Sequence, residues 1–222
     1  MDLQIILGPM FSGKSTELIR IIGRYDAINK STLLINHKLD TRTDESVKTH
    51  SDIKRKAIKT NKLMDIYKTE SFQKAEVIGI DEGNFYEDLY EFICKCENFK
   101  KIIIIVGLDG DYRKQKFGQV LDCIPKCNNI TKLNALCMIC KDGTPGIFTK
   151  RIAKDNKQIL VGADDAYMSV CRNCYWIFCS TEIVNEWSKS EKSNNFPFSS
   201  YNSISINSIV IGSVNTFNRL IK

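Results

Sequence analysis

Apolar residues in the first 127 positions fall in short blocks, separated by polar stretches with helical periodicity. Leu3-Gln4-Ile5-Ile6-Leu7, Leu33-Leu34-Ile35, Val77-Ile78-Gly79-Ile80 and Ile102-Ile103-Ile104-Ile105-Val106 read as strands buried on both faces. They predict strands over 3–7, 32–36, 76–81 and 102–108. Leu18, Ile21, Ile22 and Tyr25 recur at helical spacing, which predicts a helix over 14–26 with one buried stripe. Further helices are expected over 87–96 and, shorter, over 119–125. This alternation predicts an α/β fold, a parallel sheet with helices on both faces. Residues 40–56 are polar without periodicity and are expected to form a loop that moves or orders with ligand.

Past residue 130 the pattern changes to short strands, expected over 131–136, 147–153 and 157–162. The last two flank Lys154-Asp155-Asn156, a hairpin turn by composition. The division expected is an α/β domain over 1–130, a small second domain over 131–180 and a tail over 181–222. In the tail, 182–188 can extend as a helix and 188–208 is rich in Ser and Asn, as in disordered segments. The apolar segment 204–214 interrupts it and is expected to dock weakly.

With 222 residues, 43% apolar and 26% charged, the chain has the make-up of a globular protein with one sizeable core. No apolar run approaches the roughly 20 residues of a membrane span, so no membrane partner is expected. The first strand leads directly into a glycine loop, which argues against a signal peptide and for a cytoplasmic location. The net charge of +6 mildly favours anionic ligands. The lysines are scattered rather than gathered into a stripe, so no nucleic-acid partner is expected.

Gly8-Pro9-Met10-Phe11-Ser12-Gly13-Lys14-Ser15 is a G-x-x-x-x-G-K-[ST] loop between a predicted strand and a predicted helix. Glycines let backbone N–H groups converge on phosphate oxygens, and the helix N-terminus and Lys14 add positive charge. Ser15 can ligate Mg²⁺, so the loop points to ATP or another nucleoside triphosphate. Strand 76–81 ends in Asp81-Glu82. Asp81 is placed to hold the metal, and Glu82, one residue further, to accept a proton from an attacking hydroxyl or water.

Nine cysteines in such a chain point to thiols and metal rather than disulfides. Cys137-x-x-Cys140 and Cys171-x-x-Cys174 can each give two thiolates to one tetrahedral Zn²⁺. Four thiolates leave no open position, so the metal is expected to be structural. Cys94, Cys96, Cys123, Cys127 and Cys179 lack such partners and read as core or surface thiols. Between the pairs, Gly162-Ala163-Asp164-Asp165-Ala166-Tyr167-Met168 fits either a lid over a ligand or an ordinary surface loop.

Taken in order, several segments resemble the type II thymidine kinases. They are Gly8 through Leu18, Asp40-Thr41-Arg42, Ile78 through Phe85, Leu108-Asp109-Gly110, Phe117-Gly118, Phe148-Thr149-Lys150-Arg151 and Tyr167-x-x-x-Cys171-Arg172-x-Cys174-Tyr175. The resemblance covers about 1–176. It implies a RecA-like ATP domain, a zinc-held, ribbon-like lasso domain, a homotetramer and feedback inhibition by dTTP. It also implies that Glu82 is the general base for the 5′-hydroxyl of thymidine. ATP and Mg²⁺ contacts fall on Gly8 to Ser15, Asp40, Thr41, Arg42, Asp81, Glu82, Gly83 and Asn84. Thymidine contacts fall on Met10, Phe85, Leu108, Tyr112, Phe117, Thr149, Gln158, Ile159, Leu160, Val161, Gly162 and Tyr167. Asn84, Tyr112 and Gln158 stand where the family commonly has Gln, Phe and an apolar residue. The readings set against it are another nucleotide kinase with a zinc-bearing lid and a P-loop ATPase whose zinc ribbon grips nucleic acid.

Overall fold

All four continuous apolar blocks are neighbours or near neighbours in one parallel sheet. The computed structural model describes residues 1–40, 46–48, 54–153, 158 and 166–177. Its first part runs β1 (Asp2–Gly8), α1 (Lys14–Asp26), β2 (Thr32–His37), β3 (Ser46–Lys48), β4 (Lys54–Lys56), β5 (Ile58–Thr60), α2 (Leu63–Tyr67) and α3 (Glu70–Lys74). It continues with β6 (Val77–Ile80), α4 (Leu89–Cys96), β7 (Ile102–Leu108) and β8 (Asn129–Lys132). Last come β9 (Ala135–Leu136), β10 (Pro145–Gly146), β11 (Phe148–Arg151), β12 (Tyr167–Val170) and α5 (Arg172–Ile177). Met1–Ile177 forms one compact unit.

The large sheet has the order β5-β2-β6-β7-β1-β8, and every pairing in it is parallel. Ile35, Ile80, Ile105 and Ile5 stand in register across four strands. This row faces a core of Leu63, Ile66, Phe72, Leu89, Phe92 and Val120, brought by α2, α3, α4 and the turn after Gln119. The alternate positions Leu34, Val77, Ile104, Val106 and Ile6 face the opposite way and pack on Leu18 and Ile22 of α1. Strand alternation therefore sends successive residues into two cores, as expected for a sheet covered on both faces. Each buried Ile of β7 stabilises the fold by about 1.5–3 kcal/mol relative to exposure.

Several elements differ from expectation. Within 40–56, β3 and β4 pair as a short antiparallel hairpin, with Val47 fully buried against α1. No apolar run announces it, because one side chain does the anchoring. The strand expected over 131–136 is two: β8 joins the edge of the large sheet beside β1, and β9 pairs with β10. The polar Asn129–Lys132 tolerates an edge, where one side meets water. The helix expected over 119–125 is a 3-10 helix at Leu121–Lys126, with Pro125 inside it. β11 lies within the strand expected over 147–153, but it pairs antiparallel with β12, whose first residues, Tyr167 and Met168, belong to the stretch read from sequence as a lid or loop. The strand expected over 157–162 lies outside the described residues, apart from Gln158. The tail helix, polar tract and apolar segment also lie outside them. No described helix is long and apolar enough to cross a membrane.

Candidate active site and metal centre

In a parallel sheet all carboxyl ends share one edge, and ligands in α/β proteins gather there. Here that edge carries the glycine loop after β1, Asp81 and Glu82 after β6, Leu108 at the end of β7 and His37 at the end of β2. Gly13 caps α1 with φ 79° and ψ 18°, a conformation that only glycine adopts without strain. An added Cβ there would meet nothing within 4 Å, so the requirement is conformational rather than spatial. Phe11 is also left-handed, at φ 65°. Ser12 Oγ and Lys14 Nζ both donate to the Pro9 carbonyl, at 2.8 and 2.7 Å. The loop thus folds around its own carbonyl, with Lys14 half-buried above it.

Asp81 is 1% exposed and its Oδ1 accepts the Glu82 N–H at 3.0 Å. Glu82 has φ 53°, a left-handed conformation costing on the order of 1–3 kcal/mol for a residue with a side chain. That turn breaks the strand direction and starts the short 3-10 turn Gly83–Phe85. Asn84 is buried and its Oδ1 accepts the Leu108 N–H at 3.2 Å, tying the ends of β6 and β7 together. Gly118 sits on the Asn84 carbonyl so closely that a Cβ there would lie 2.1 Å from the oxygen. Phe85 and Phe117 meet edge to face, with centroids 5.5 Å apart.

Behind Phe85, His37 lies 5.6 Å from its ring and packs edge-on to Tyr86 at 4.8 Å. Burial depresses the His37 pKa below its ordinary 6.5, against the opposing pull of the Asn61 backbone and Asp88. Its Nδ1 accepts the Leu39 N–H at 3.1 Å, as a neutral imidazole can. Burial, then the charges of Asp81, Glu82 and Asp88, pushes the Tyr86 phenol well above its ordinary range. Asn36 donates from Nδ2 to the Asp40 carboxylate at 2.8 Å, which holds Asp40 at the end of β2.

β11 reaches the glycine loop through a hydrogen bond: Met10 N–H donates to Thr149 Oγ1 at 2.9 Å. Thr149 and Arg151 lie two residues apart on β11 and so share a face, and Arg151 pairs in register with Tyr167. The Arg151 guanidinium lies 3.9 Å from the Tyr112 ring centre and 5.0 Å from that of Tyr167. It also donates to the Gln158 carbonyl at 3.0 Å, while the Gln158 amide donates to Asp111 Oδ2 at 3.0 Å.

Cys137, Cys140, Cys171 and Cys174 bring their sulfurs within 4.8 Å of one another. Cys140 Sγ lies 3.8 Å from Cys171 Sγ and 3.4 Å from Cys174 Sγ. A tetrahedral site with Zn–S near 2.3 Å has sulfur–sulfur edges of about 3.8 Å, so this cluster fits zinc. Backbone N–H groups of Cys140 and Cys174 point at Cys137 Sγ and Cys171 Sγ, at 3.5 and 3.4 Å. Burial works against the Cys137 thiolate, but N–H groups of Cys140, Cys171 and Ile139 lower its pKa to about 7. Burial raises Cys140 to about 11. Cys94, Cys96, Cys123 and Cys127 are free thiols away from this cluster.

The structure thus joins Met10 to Thr149, Asn84 to Leu108, Phe85 to Phe117, and Tyr112 to Tyr167 through Arg151. Thr41, Arg42, Ile159, Leu160, Val161 and Gly162 lie outside the described residues. Sequence reasoning assigned no role to His37, Asp111 or Arg151. Alternation along Phe148-Thr149-Lys150-Arg151 was the available signal for Arg151, since it shares the face of Thr149. For Asp111 it was the turn-forming Asp-Gly-Asp, whose last carboxylate accepts the Arg113 and Gln115 N–H groups at 2.8 and 2.9 Å.

A parallel α/β sheet with a glycine loop and paired acids on one edge, beside a four-thiol centre suited to zinc, sets the class of protein. Comparison with known proteins takes it to a family. Residues 1–175 match the family described as thymidine kinase. The chain is 40% identical over 177 residues to the thymidine kinase of Myxoma virus (strain Uriarra), covering 79% of this chain and 96% of that one. It is 42% identical over 176 residues to that of Sheeppox virus (strain KS-1), covering 79% and 97%. Thymidine kinase 1 of Dictyostelium discoideum is 42% identical over 178 residues, covering 78% and 77%. The chain belongs to the thymidine kinase family.

Proposed function

We infer that this protein is a thymidine kinase, transferring the γ-phosphoryl group of ATP to the 5′-hydroxyl of thymidine to give dTMP and ADP. The observation that carries this beyond family membership is the shared sheet edge. The glycine loop after β1 and Asp81-Glu82 after β6 open on the same side, and β11 is bonded to the loop through Met10 and Thr149. We read the main sheet as a RecA-like ATP domain over 1–130 and the short strands around the four thiols as a zinc-held lasso over 131–180.

In this reading the backbone of Gly8 to Ser15 and the N-terminus of α1 receive the phosphates. Lys14 exchanges the Pro9 carbonyl for a phosphate oxygen and offsets the charge that develops in transfer. Ser15 and Asp81 are the residues to hold Mg²⁺, which supplies charge neutralisation across the phosphates when bound. Asp40 and Arg42, with Thr41, Gly83 and Asn84, complete the ATP side. Glu82 takes the proton from the 5′-hydroxyl as its oxygen bonds to the γ-phosphorus, and ADP departs with the electrons of the broken P–O bond. Glu82 stands just past the end of β6 in a left-handed backbone conformation, φ 53°.

Thymidine is expected against Phe85, Phe117 and Tyr112, whose ring faces suit a pyrimidine. Met10, Leu108, Thr149 and Tyr167 border that space, and backbone groups of Gln158 to Gly162 are the proposed readers of the base edge. Cys137, Cys140, Cys171 and Cys174 hold the structural Zn²⁺, a closed shell that fixes the lasso. The resemblance supports a homotetramer inhibited by dTTP, and the free cysteines support a reducing, cytoplasmic setting. The test is incubation of purified protein with γ-labelled ATP, Mg²⁺ and, separately, each deoxynucleoside and nucleoside monophosphate. Labelled dTMP as the main product supports the reading; labelled nucleoside diphosphate from a monophosphate overturns it.

A further inference from the structure

We propose that Lys114 is a positioning residue for the nucleoside side of the site, its ammonium clamped in a cage of aromatic rings beside the second cysteine pair. Lys114 Nζ lies 3.8 Å from the ring centre of Trp176, 4.0 Å from Tyr175 and 5.4 Å from Phe148. All three distances fall within the roughly 6 Å over which a ring face attracts a cation. Among the described residues no carboxylate is paired with Lys114, so ring faces are what hold the charge.

The cage is itself built. Phe148 and Tyr175 meet edge to face at 5.5 Å, as do Tyr175 and Trp176 at 5.4 Å. Tyr175 and Trp176 directly follow Cys174, and Tyr175 N–H donates to the Cys171 carbonyl at 3.0 Å. Tyr175 and Trp176 therefore ride on α5, which carries Cys174, while Phe148 comes from β11. Trp176 is 61% exposed, so the lysine closes a surface cage rather than filling core.

The other partner is the loop after β7. Its turn is wound on Asp111, whose backbone carbonyl accepts the Lys114 N–H at 2.9 Å. Lys114 takes φ 62°, a left-handed conformation that a lysine adopts only at a cost. Two residues before it, the Tyr112 carbonyl accepts the Tyr175 hydroxyl at 2.7 Å. Three residues after it, Phe117 packs on Phe85. A cation clamp and one hydrogen bond thus fix the segment that presents Tyr112 and Phe117 against the segment that carries the metal centre.

This rests on the reading of Tyr112 and Phe117 as thymidine contacts. The test uses the full-length zinc-loaded protein with Lys114→Met, which keeps the stem and removes the charge, and Lys114→Arg, which keeps a cation. Hydrogen exchange of residues 109–118 and steady-state kinetics are measured on both. In Lys114→Met, exchange in that loop is expected to speed up and the thymidine KM to rise about three- to tenfold, as loss of a cation–ring contact allows. The ATP KM and kcat are expected to stay within about twofold, and Lys114→Arg to restore both readouts. Wild-type exchange in Lys114→Met would show that no clamp exists. Faster exchange with an unchanged thymidine KM would show a clamp that positions nothing, and would locate the failure in the assignment of Tyr112 and Phe117.

Discussion

Met10 and Thr149, 139 residues apart in the chain, are joined by a 2.9 Å hydrogen bond from the Met10 N–H to the Thr149 hydroxyl. One is in the glycine loop of the large sheet and the other on β11 of a two-stranded sheet, where it is 5% exposed. Thr149→Val keeps the shape and removes the acceptor, leaving a loop N–H without it at a cost of about 1–2 kcal/mol. The expected result is a melting temperature lower by roughly 2–6 °C. The KM for both substrates should also rise, whereas Thr149→Ser should stay near wild type. Equal melting temperatures for wild type and Thr149→Val would show that the bond carries no load.

His37 makes stability depend on pH. Its folded pKa is depressed by burial, so between that value and its ordinary 6.5 the unfolded chain binds a proton that the folded one does not. Stability therefore rises with pH through this window and is lost as pH falls through it, with a slope of at most about 1.4 kcal/mol per pH unit. His37→Gln, neutral throughout, should lack this component. Denaturant titrations from pH 7.5 down to 5 should show the wild-type curve falling more steeply than that of the variant. Parallel curves would mean that His37 is protonated as easily folded as unfolded.

The thiol cluster predicts one zinc per chain, measurable by elemental analysis of protein prepared without chelators. Cys137→Ser or Cys174→Ser should lower zinc content and raise the thymidine KM more than the ATP KM. The asymmetry follows from which elements build each part: the glycine loop is built on β1 and α1, whereas the thiols flank β9 and β12 and sit on α5. Binding and folding are coupled at such sites, so β9 to β12 should lose exchange protection when the metal is removed. Full activity in zinc-free protein would remove the structural role.

Lys14 is half-buried and its ammonium bonds to a carbonyl of its own loop. Lys14→Ala should leave the melting temperature within about 2 °C, as for a substitution away from the core. Turnover should fall by roughly two to four orders of magnitude, since the residue neutralises phosphate charge. Thymidine binding, followed by calorimetry without ATP, should persist. A variant that is folded and turns over normally would take the loop out of the reaction.

Sequence made the centre of the sheet legible because β1, β2, β6 and β7 are buried on both faces, and continuous apolar runs survive any reading frame. The two-core alternation, by contrast, needs the register of Ile35, Ile80, Ile105 and Ile5. β5 was missed because Ile58-Lys59-Thr60 is three residues long, and α2 and α3 because each spans five, under two turns. β8 and β12 were misread for opposite reasons. Asn129–Lys132 is too polar to announce a sheet edge, while Tyr167–Val170 is fully buried yet follows an acidic, loop-like stretch. The glycine loop, the acids and the cysteine spacing were local signals and could be read directly. The Met10–Thr149 bond, the Arg151 stack and the Lys114 cage exist only once the chain has folded back on itself.

The most direct test of the account is Glu82→Gln in a single-turnover experiment, with enzyme in excess over γ-labelled ATP and saturating thymidine. Glu82 sits on the left-handed turn at the end of β6, beside the buried Asp81, and is assigned the proton of the attacking hydroxyl. The amide keeps the size of the side chain and removes the base. Calorimetry should give ATP and thymidine affinities within a few-fold of wild type, while the rate of labelled dTMP formation falls by roughly two to four orders of magnitude. A transfer rate within a few-fold of wild type, with binding intact, would contradict the assignment and place the base elsewhere.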